Sequence, residues 1–178
     1  MGKNIVLLIG MPGCGKTTIG SEVAKRINYK FCDMDKYIED ISKSTIKELF
    51  NKSEEFFRDY ESRACVELSN INDNIIISSG GGIIKRKKNI DCFKKKGIII
   101  FIDRPIENII KDVDTSTRPL LKEGKAKLYN LYSERYNLYN DYCQYKIAND
   151  KEIEDTINKV VELINTGGKY EDTSYKWA

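Results

Sequence analysis

Residues Gly10–Thr17 read GMPGCGKT, which has the spacing GxxxxGKT. The apolar run Ile5–Ile9 comes directly before this stretch, and a segment with helical periodicity comes directly after it. A strand, a glycine-rich turn and a helix in this order are the context that a phosphate-binding loop requires. The alternative is a glycine-rich turn without a ligand, which would seldom carry a Lys-Thr pair at this interval. The stretch therefore predicts a polyphosphate site at the start of a helix.

The residue types in this loop suit a nucleotide and its metal ion. Glycines let backbone N–H groups turn towards phosphate oxygens, which a Cβ would obstruct. Lys16 can reach the β- and γ-phosphates, and the hydroxyl of Thr17 can hold Mg²⁺. A helix starting near Gly15 adds unpaired N–H groups and the positive end of its dipole. The expected nucleotide contacts in this stretch are Gly13, Cys14, Gly15, Lys16, Thr17 and Thr18.

The composition of the 178 residues limits both the chemistry and the setting of the protein. The chain has no histidine, so a general base must be a carboxylate, a lysine or a tyrosine, and serine–histidine or cysteine–histidine catalysis is excluded. Its five cysteines are odd in number and include no CxxC pair, which favours reduced thiols. No apolar run approaches the ~20 residues of a membrane span, and no signal-peptide pattern is present. We therefore expect a cytoplasmic protein that binds no membrane.

Strand-like and helix-like segments alternate on both sides of the loop. Five apolar segments are predicted strands, at residues 4–9, 30–32, 75–79, 98–102 and 145–148. Because helical segments separate them, the pattern predicts an α/β fold of the P-loop NTPase type, with three αβα layers and a central five-stranded parallel sheet. We expect one domain over residues 1–164 and a loose polar tail over residues 165–178. Ligands of such sheets bind at the carboxyl ends of the strands.

Two aspartates follow the second strand, at the edge of the sheet where the loop lies. One carboxylate of Asp33 and Asp35 could orient Mg²⁺ through water, and the other could take a proton from a substrate hydroxyl. A helix cap is the alternative use of either residue. Asp103 follows another strand, like the metal-binding aspartate of many P-loop proteins. The residues Arg104-Pro105 after it favour a helix cap instead.

Three further features could form a pocket for a phosphate acceptor. Gly80–Gly82 follows the third strand and either lets a ligand approach bare backbone or forms a flexible turn. Arg58 and Glu61 lie three apart on one helix face, where a surface ion pair is the default interpretation. Arg135 lies among tyrosines, either as a planar clamp for a carboxylate or with its stem packed on the rings.

A polar segment at residues 112–124 interrupts the alternation and contains Arg118. Near a phosphate site, such a segment suggests a mobile lid that closes over ATP, with Arg118 stabilising charge on the transferring phosphate. An ordinary exposed loop is the alternative. Basic runs at residues 85–88 and 94–96 could suggest nucleic acid, but they contain almost no aromatic residues and the net charge is only +3. We therefore expect a solvated helix face and no nucleic-acid partner.

Together these residues resemble the shikimate kinase family, within the nucleoside-monophosphate-kinase-like P-loop proteins. The resemblance covers about residues 4–164. In order and spacing the set is specific, although only the phosphate loop is specific by itself. The set comprises Gly10–Thr17, Asp33-Met34-Asp35, Phe57-Arg58 with Glu61, Gly80–Gly82, Arg118-Pro119-Leu120-Leu121, and Arg135 followed by Leu138-Tyr139.

The resemblance implies ATP-dependent phosphorylation of the 3-hydroxyl of shikimate, on the route to chorismate and the aromatic amino acids. It implies that Asp35 holds and deprotonates this hydroxyl, with Lys16 and Arg118 as the other catalytic residues. Asp33 and Thr17 would position Mg²⁺.

It also implies a shikimate-binding helical region at about residues 34–62. Arg58 and Arg135 would bind the carboxylate, and Glu61 would orient Arg58. The glycines Gly80, Gly81 and Gly82 would line this pocket. Lys111 stands where the family often has an arginine near the adenine.

Other functions remain open on the residues alone. A kinase of the same fold for gluconate or a nucleoside monophosphate would carry the same phosphate loop. A non-catalytic nucleotide switch would need a nucleotide-sensing threonine and a clear metal-binding aspartate, and that pair is not found. We expect a monomer whose partners are ATP and shikimate and whose cofactor is Mg²⁺.

Overall fold

The computed structural model describes residues 5–112 and 125–168. Its strands are β1 (Ile5–Ile9), β2 (Lys30–Asp33), β3 (Ile75–Ser78), β4 (Gly97–Asp103) and β5 (Tyr145–Ala148). All pairings are parallel, and the strand order is β2-β3-β1-β4-β5. The predicted α/β architecture with a five-stranded parallel sheet is therefore confirmed.

Helices connect the strands, as the alternation predicts. They are α1 (Lys16–Ile27), α2 (Met34–Ser42), α3 (Ile46–Lys52), α4 (Glu54–Leu68), α5 (Lys87–Lys94), α6 (Ile106–Asp112), α7 (Lys125–Tyr142) and α8 (Ile153–Asn165). Three of them begin at side-chain caps, since Asp33, Thr45 and Ser53 each accept a bond from the first turn that follows. A short 3₁₀ helix at Ile83–Lys85, which the sequence did not predict, follows the glycine turn.

The two faces of the sheet carry different helices. On one face α1 lies so close that a methyl group at Gly20 would be 3.0 Å from a methyl carbon of Leu8 and 3.4 Å from Cγ2 of Ile76. Phe101 pairs in register with Ile9, the neighbour of Leu8, so its ring points to the opposite face. There it packs on tyrosines of α7. The result is the expected three-layer arrangement around strands that are mostly buried.

The strand order decides which residues meet at the carboxyl edge. The strands β2, β3 and β1 are neighbours in the sheet. Asp33 ends β2, the glycine turn follows β3 and the phosphate loop follows β1, so the three lie side by side. None of the helices described at residues 5–112 and 125–168 has the length and apolar character that crossing a membrane requires.

Candidate active site

The phosphate loop has the backbone that its glycines predict. Gly13 and Gly15 adopt φ angles of 84° and 99°, in the left-handed region that favours glycine. Gly15 is also the residue from which α1 begins. A methyl group at Gly15 would lie 3.2 Å from Nδ2 of Asn149, so the loop is closely backed by the end of β5.

Lys16 lies buried within the loop. Its Nζ donates hydrogen bonds of 2.9 Å to the carbonyls of both Gly10 and Met11. These partners are neutral, so the ammonium charge is held in place without being cancelled by a carboxylate. A fixed, uncancelled cation at the start of a helix suits a polyphosphate.

Asp33 serves two purposes with its two carboxylate oxygens. Oδ1 caps α2 by accepting from the N–H groups of Asp35 and Lys36, at 3.0 and 3.3 Å. Oδ2 accepts from the hydroxyl of Thr17 at 2.9 Å, and that hydroxyl is also 3.1 Å from Oγ of Ser78. The cap and the site at Thr17 are therefore compatible uses of one side chain. Hydroxyl and carboxylate oxygens are the ligands that Mg²⁺ prefers, so this cluster fits the ion.

Asp35 lies in the first turn of α2 with an exposed side chain, and its carboxylate points at Gly80. A methyl group at Gly80 would lie 2.9 Å from Oδ1 of Asp35 and 3.5 Å from Oε1 of Glu61. Glycine at this position thus allows two carboxylates to approach the backbone of the turn.

Arg58 and Glu61 form a buried ion pair on α4. Their exposed fractions are 4% and 1%, and Nη1 of Arg58 donates to both carboxylate oxygens at 2.9 and 2.8 Å. Burial raises the pKa of Glu61, and the Arg58 charge opposes that shift. The default interpretation of a surface pair is therefore wrong. A methyl group at Gly82 would overlap the guanidinium, so this glycine makes room for it.

Glu54, which the sequence did not single out, and Lys85 extend this buried ion pair to the surface. Oε1 of Glu54 accepts from Nε and Nη2 of Arg58 at 3.3 and 3.2 Å, and also from Nζ of Lys85 at 2.7 Å. Arg58 is therefore largely saturated by protein carboxylates. The spacing of Glu54 and Arg58, four residues apart on a helix, was the available signal.

Arg135 approaches the same turn from α7 and is 6% exposed. Its Nη1 donates to the carbonyl of Gly81 at 3.1 Å, and the hydroxyl of Tyr139 donates to the same oxygen. Its Nε is buried and has no hydrogen-bond partner among the described residues. Arg135 thus holds donor capacity that its described neighbours leave unused.

Gly81 joins this pocket to the phosphate loop. A methyl group there would lie 2.7 Å from both Cγ and Cδ of Pro12. The predicted pocket residues therefore converge beside the loop on one glycine turn. They are Asp35, Arg58, Glu61, Gly80, Gly81, Gly82 and Arg135.

The remaining predicted nucleotide contacts do not belong to this pocket. Thr18 is exposed in the first turn of α1, and Lys111 is exposed in the last turn of α6. Arg118 and all of the predicted lid except Asp112 lie outside the described residues.

The predicted helix cap at Asp103 is wrong. This residue belongs to β4, and α6 begins three residues later at Ile106. Its carboxylate instead accepts from the hydroxyl of Tyr136 at 3.0 Å and lies 3.8 Å from Nζ of Lys146. The chain thus uses the aspartate to tie β4 to α7.

Three residues of the basic run at residues 85–88 form ion pairs. Lys85 binds Glu54, and Arg86 binds Glu55 and Asp59. Lys87 binds Asp91, four residues further along α5. This arrangement agrees with the expected solvated helix face.

Comparison with known proteins agrees with this geometry. A family model described as Shikimate kinase matches residues 12–165. The chain is 53% identical over 162 residues to a shikimate kinase of Clostridium beijerinckii, covering 91% of this chain and 95% of that protein. It is 49% identical over 162 residues to a shikimate kinase of Clostridium botulinum, covering 91% and 98%. The solved shikimate kinase from Acinetobacter baumannii in complex with shikimate has a TM-score of 0.86 at 28% identity, covering 94% of this chain and 96% of that one.

Proposed function

The chain belongs to the shikimate kinase family, and from this premise we propose which of its residues carry the reaction. The activity is transfer of the ATP γ-phosphoryl group to the 3-hydroxyl of shikimate, which gives shikimate 3-phosphate and ADP. This step belongs to the route to chorismate and the aromatic amino acids. An ATP-dependent phosphotransferase needs little beyond positioning and charge neutralisation, and both are available at this sheet edge.

We assign the nucleotide to the phosphate loop. N–H groups of Gly13 to Thr18 surround the phosphates, and Lys16 exchanges its two carbonyl partners for phosphate oxygens. Thr17 and Asp33 would hold Mg²⁺. When bound, this ion would neutralise negative charge on the phosphates.

Asp35 acts as the general base. It takes the proton of the 3-hydroxyl while that oxygen forms a bond to the γ-phosphorus and the bond to the ADP oxygen breaks. A carboxylate suits this role because the chain has no histidine. Its position in the first turn of α2, against the glycine turn that touches Pro12, supports the assignment.

The observation that carries the acceptor assignment is Arg135, a buried arginine whose Nε is left without a described partner. A planar carboxylate is the ligand that best satisfies such donors. Arg58 supplies a second guanidinium at Gly82 of the same turn, with Glu61 and Glu54 orienting it. The shikimate carboxylate is therefore placed between them, with its ring over Gly80–Gly82.

A coupled assay of ADP release over a panel of acceptors tests this function. We expect turnover with shikimate and little with gluconate or a nucleoside monophosphate. The methyl ester of shikimate keeps the ring hydroxyls and lacks the charge, so it is the matched control for the two arginines. Equal turnover with the ester would contradict the carboxylate assignment, and a preference for another acceptor would contradict shikimate as the substrate.

The remaining assignments concern the setting. We propose a cytoplasmic monomer with one domain over residues 1–164 and no nucleic-acid partner, with residues 34–62 as the acceptor-binding region. Lys111 and Arg118 remain proposed nucleotide contacts, the second as part of a lid at about residues 112–124. Gel filtration with light scattering tests the oligomeric state.

A further inference from the structure

We infer that Asn149, just beyond β5, is a positioning residue that presets the phosphate loop for nucleotide. Its Nδ2 donates to the carbonyl of Cys14 at 3.0 Å, and the side chain is buried. Its amide is directed at the loop backbone. The inference rests on the proposed function in so far as the loop is the nucleotide site.

The orientation of this amide is fixed by its other contacts. The hydroxyl of Thr156, which is also buried, donates to Oδ1 of Asn149 at 3.0 Å. The backbone N–H of Asn149 donates to the carbonyl of Asp103 at 2.7 Å. The Cys14 carbonyl can only accept, so the NH₂ side of the amide must face it, and the Thr156 hydroxyl holds the oxygen side.

Fixing one carbonyl of the loop also fixes the N–H on the other end of the same peptide. In a trans peptide the two groups point in opposite directions. With the Cys14 carbonyl held towards Asn149, the N–H of Gly15 points away from β5 and towards the inside of the loop. That is the direction in which an anion is bound at the start of a helix.

The carbonyl of the preceding residue, Gly13, is also bound by a side chain from outside the loop. Nη1 of Arg104, just after β4, donates to the carbonyl of Gly13 at 3.3 Å, and Nη2 binds the carboxylate of Asp112. Residues following two adjacent strands thus hold two consecutive peptides of the loop. Asn149 is the stronger of the two because it is buried and has partners on both sides of its amide.

Without this hydrogen bond, the loop samples other peptide orientations, and only a fraction of molecules is ready to bind. The apparent dissociation constant rises by the reciprocal of that fraction. The loss of one buried hydrogen bond corresponds to a rise of roughly three- to tenfold. Once nucleotide is bound the loop is held by the phosphates, so kcat at saturating ATP should change less than the affinity.

The test measures ADP affinity by calorimetry, with no acceptor present, together with KM for each substrate. Asn149→Ala removes the donor. Asn149→Asp keeps the shape but directs an acceptor at the Cys14 carbonyl, so its effect should be the larger. Asn89→Ala is the matched control, because Asn89 is also buried and donates one amide bond, of 3.4 Å, to the carbonyl of Ile83 away from the loop.

We expect the Asn149 variants to raise the ADP dissociation constant and KM for ATP, while KM for shikimate stays at the wild-type value. Thr156→Val, which frees the amide to turn, should have a smaller effect in the same direction. Wild-type ADP affinity in folded Asn149→Ala and Asn149→Asp would overturn the inference. So would an equal loss of ADP affinity in Asn89→Ala. If the acceptor assignment were wrong, the wild-type protein would still bind ADP but would not release ADP in response to shikimate.

Discussion

The phosphate loop and the acceptor pocket touch where Gly81 packs on Pro12, yet they are built in opposite ways. The loop is eight consecutive residues that act mainly through their backbone, with one cation held by neutral carbonyls. The pocket draws side chains from α2, α4 and α7 onto one glycine turn, and its two cations are treated differently. Arg58 gives most of its donors to Glu54 and Glu61, whereas Nε of Arg135 has no partner among the described residues.

Because of this difference, the loop and the pocket contribute differently to function. The loop can bind phosphate wherever a strand and a helix hold it, so it is shared by many kinases. The pocket places charges from distant parts of the chain around one small acceptor, so it decides the substrate. Substitutions should therefore affect the two regions through different measurable quantities.

The largest effect is expected at Asp35, which faces Gly80 in the glycine turn. Asp35→Asn removes the base, and general-base catalysis is typically worth 10²–10⁴-fold, so kcat should fall by roughly that factor. The fold should persist because the side chain is exposed. Steady-state kinetics with thermal unfolding of the same sample measure both. Asp40→Asn, exposed on the same helix, is the matched control and should keep wild-type kcat. Full activity of Asp35→Asn would place the base elsewhere.

The next prediction compares the loss of stability when each buried cation, Arg58 or Lys16, is removed. Arg58→Met strands the carboxylate of Glu61, and breaking a buried pair in this way costs about 3–5 kcal/mol of unfolding free energy. Lys16→Met leaves only carbonyls without a donor, so its cost should be smaller, about 1–3 kcal/mol. Urea unfolding measures the two. The double variant Arg58→Met/Glu61→Leu should recover much of the lost stability while shikimate KM stays high. Equal destabilisation by the two single variants would remove the proposed contrast between loop and pocket.

The sequence predicted the loop and the strands because each depends on short-range patterns. Gly10–Thr17 needs no distant partner, and the apolar segments alone define the sheet whose edge collects the site. The cap that the sequence allowed for Asp33 is present, and its other oxygen accepts from Thr17, while its role toward Mg²⁺ stays a prediction. The resemblance to a known family supplied the roles of Arg58 and Arg135, which spacing alone left open.

The missed residues depend on contacts between distant parts of the chain. Ser78 reaches Thr17 through sheet register, and Lys85, which the sequence showed only as part of a basic run, reaches Glu54 of another helix. Asn149 lies 135 residues from its partner Cys14. Asp103 was predicted to cap a helix because Pro105 follows it. In the structure it instead accepts a hydrogen bond from Tyr136 of α7, 33 residues away.

A third test examines the unused donors of Arg135. Arg135→Ala should raise shikimate KM by an amount equivalent to about 2–5 kcal/mol, because the substrate carboxylate would be buried without its partner. KM for ATP should be unchanged, since the residue contacts the glycine turn and not the loop. Tyr139→Phe is the control, because it removes only the other donor to the Gly81 carbonyl. A rise in both KM values would mean that Arg135 supports the whole site and not the acceptor alone.

The smallest effect is a pH dependence that belongs to the pocket, because Gly10–Thr17 contains no carboxylate. Burial raises the pKa of Glu61, although the Arg58 charge opposes that shift. Between the unfolded value of about 4.3 and this raised pKa, the native protein binds more protons than the unfolded chain. The contribution of Glu61 to the free energy of unfolding is therefore fully present below the unfolded value and is lost as the pH rises through the raised pKa.

Urea unfolding at a series of pH values should show this decline in the wild type relative to Glu61→Gln, which has no such group. Glu67 supplies a control of opposite sign, because hydrogen bonds from Tyr37 and Arg63 lower its pKa. Its contribution is present above the unfolded value and is lost as the pH falls, so Glu67→Gln should alter the acid side instead. If the wild type and Glu61→Gln had parallel pH profiles, Glu61 would titrate alike in the native and unfolded states. The buried pair would then provide orientation for Arg58 without any proton linkage to folding.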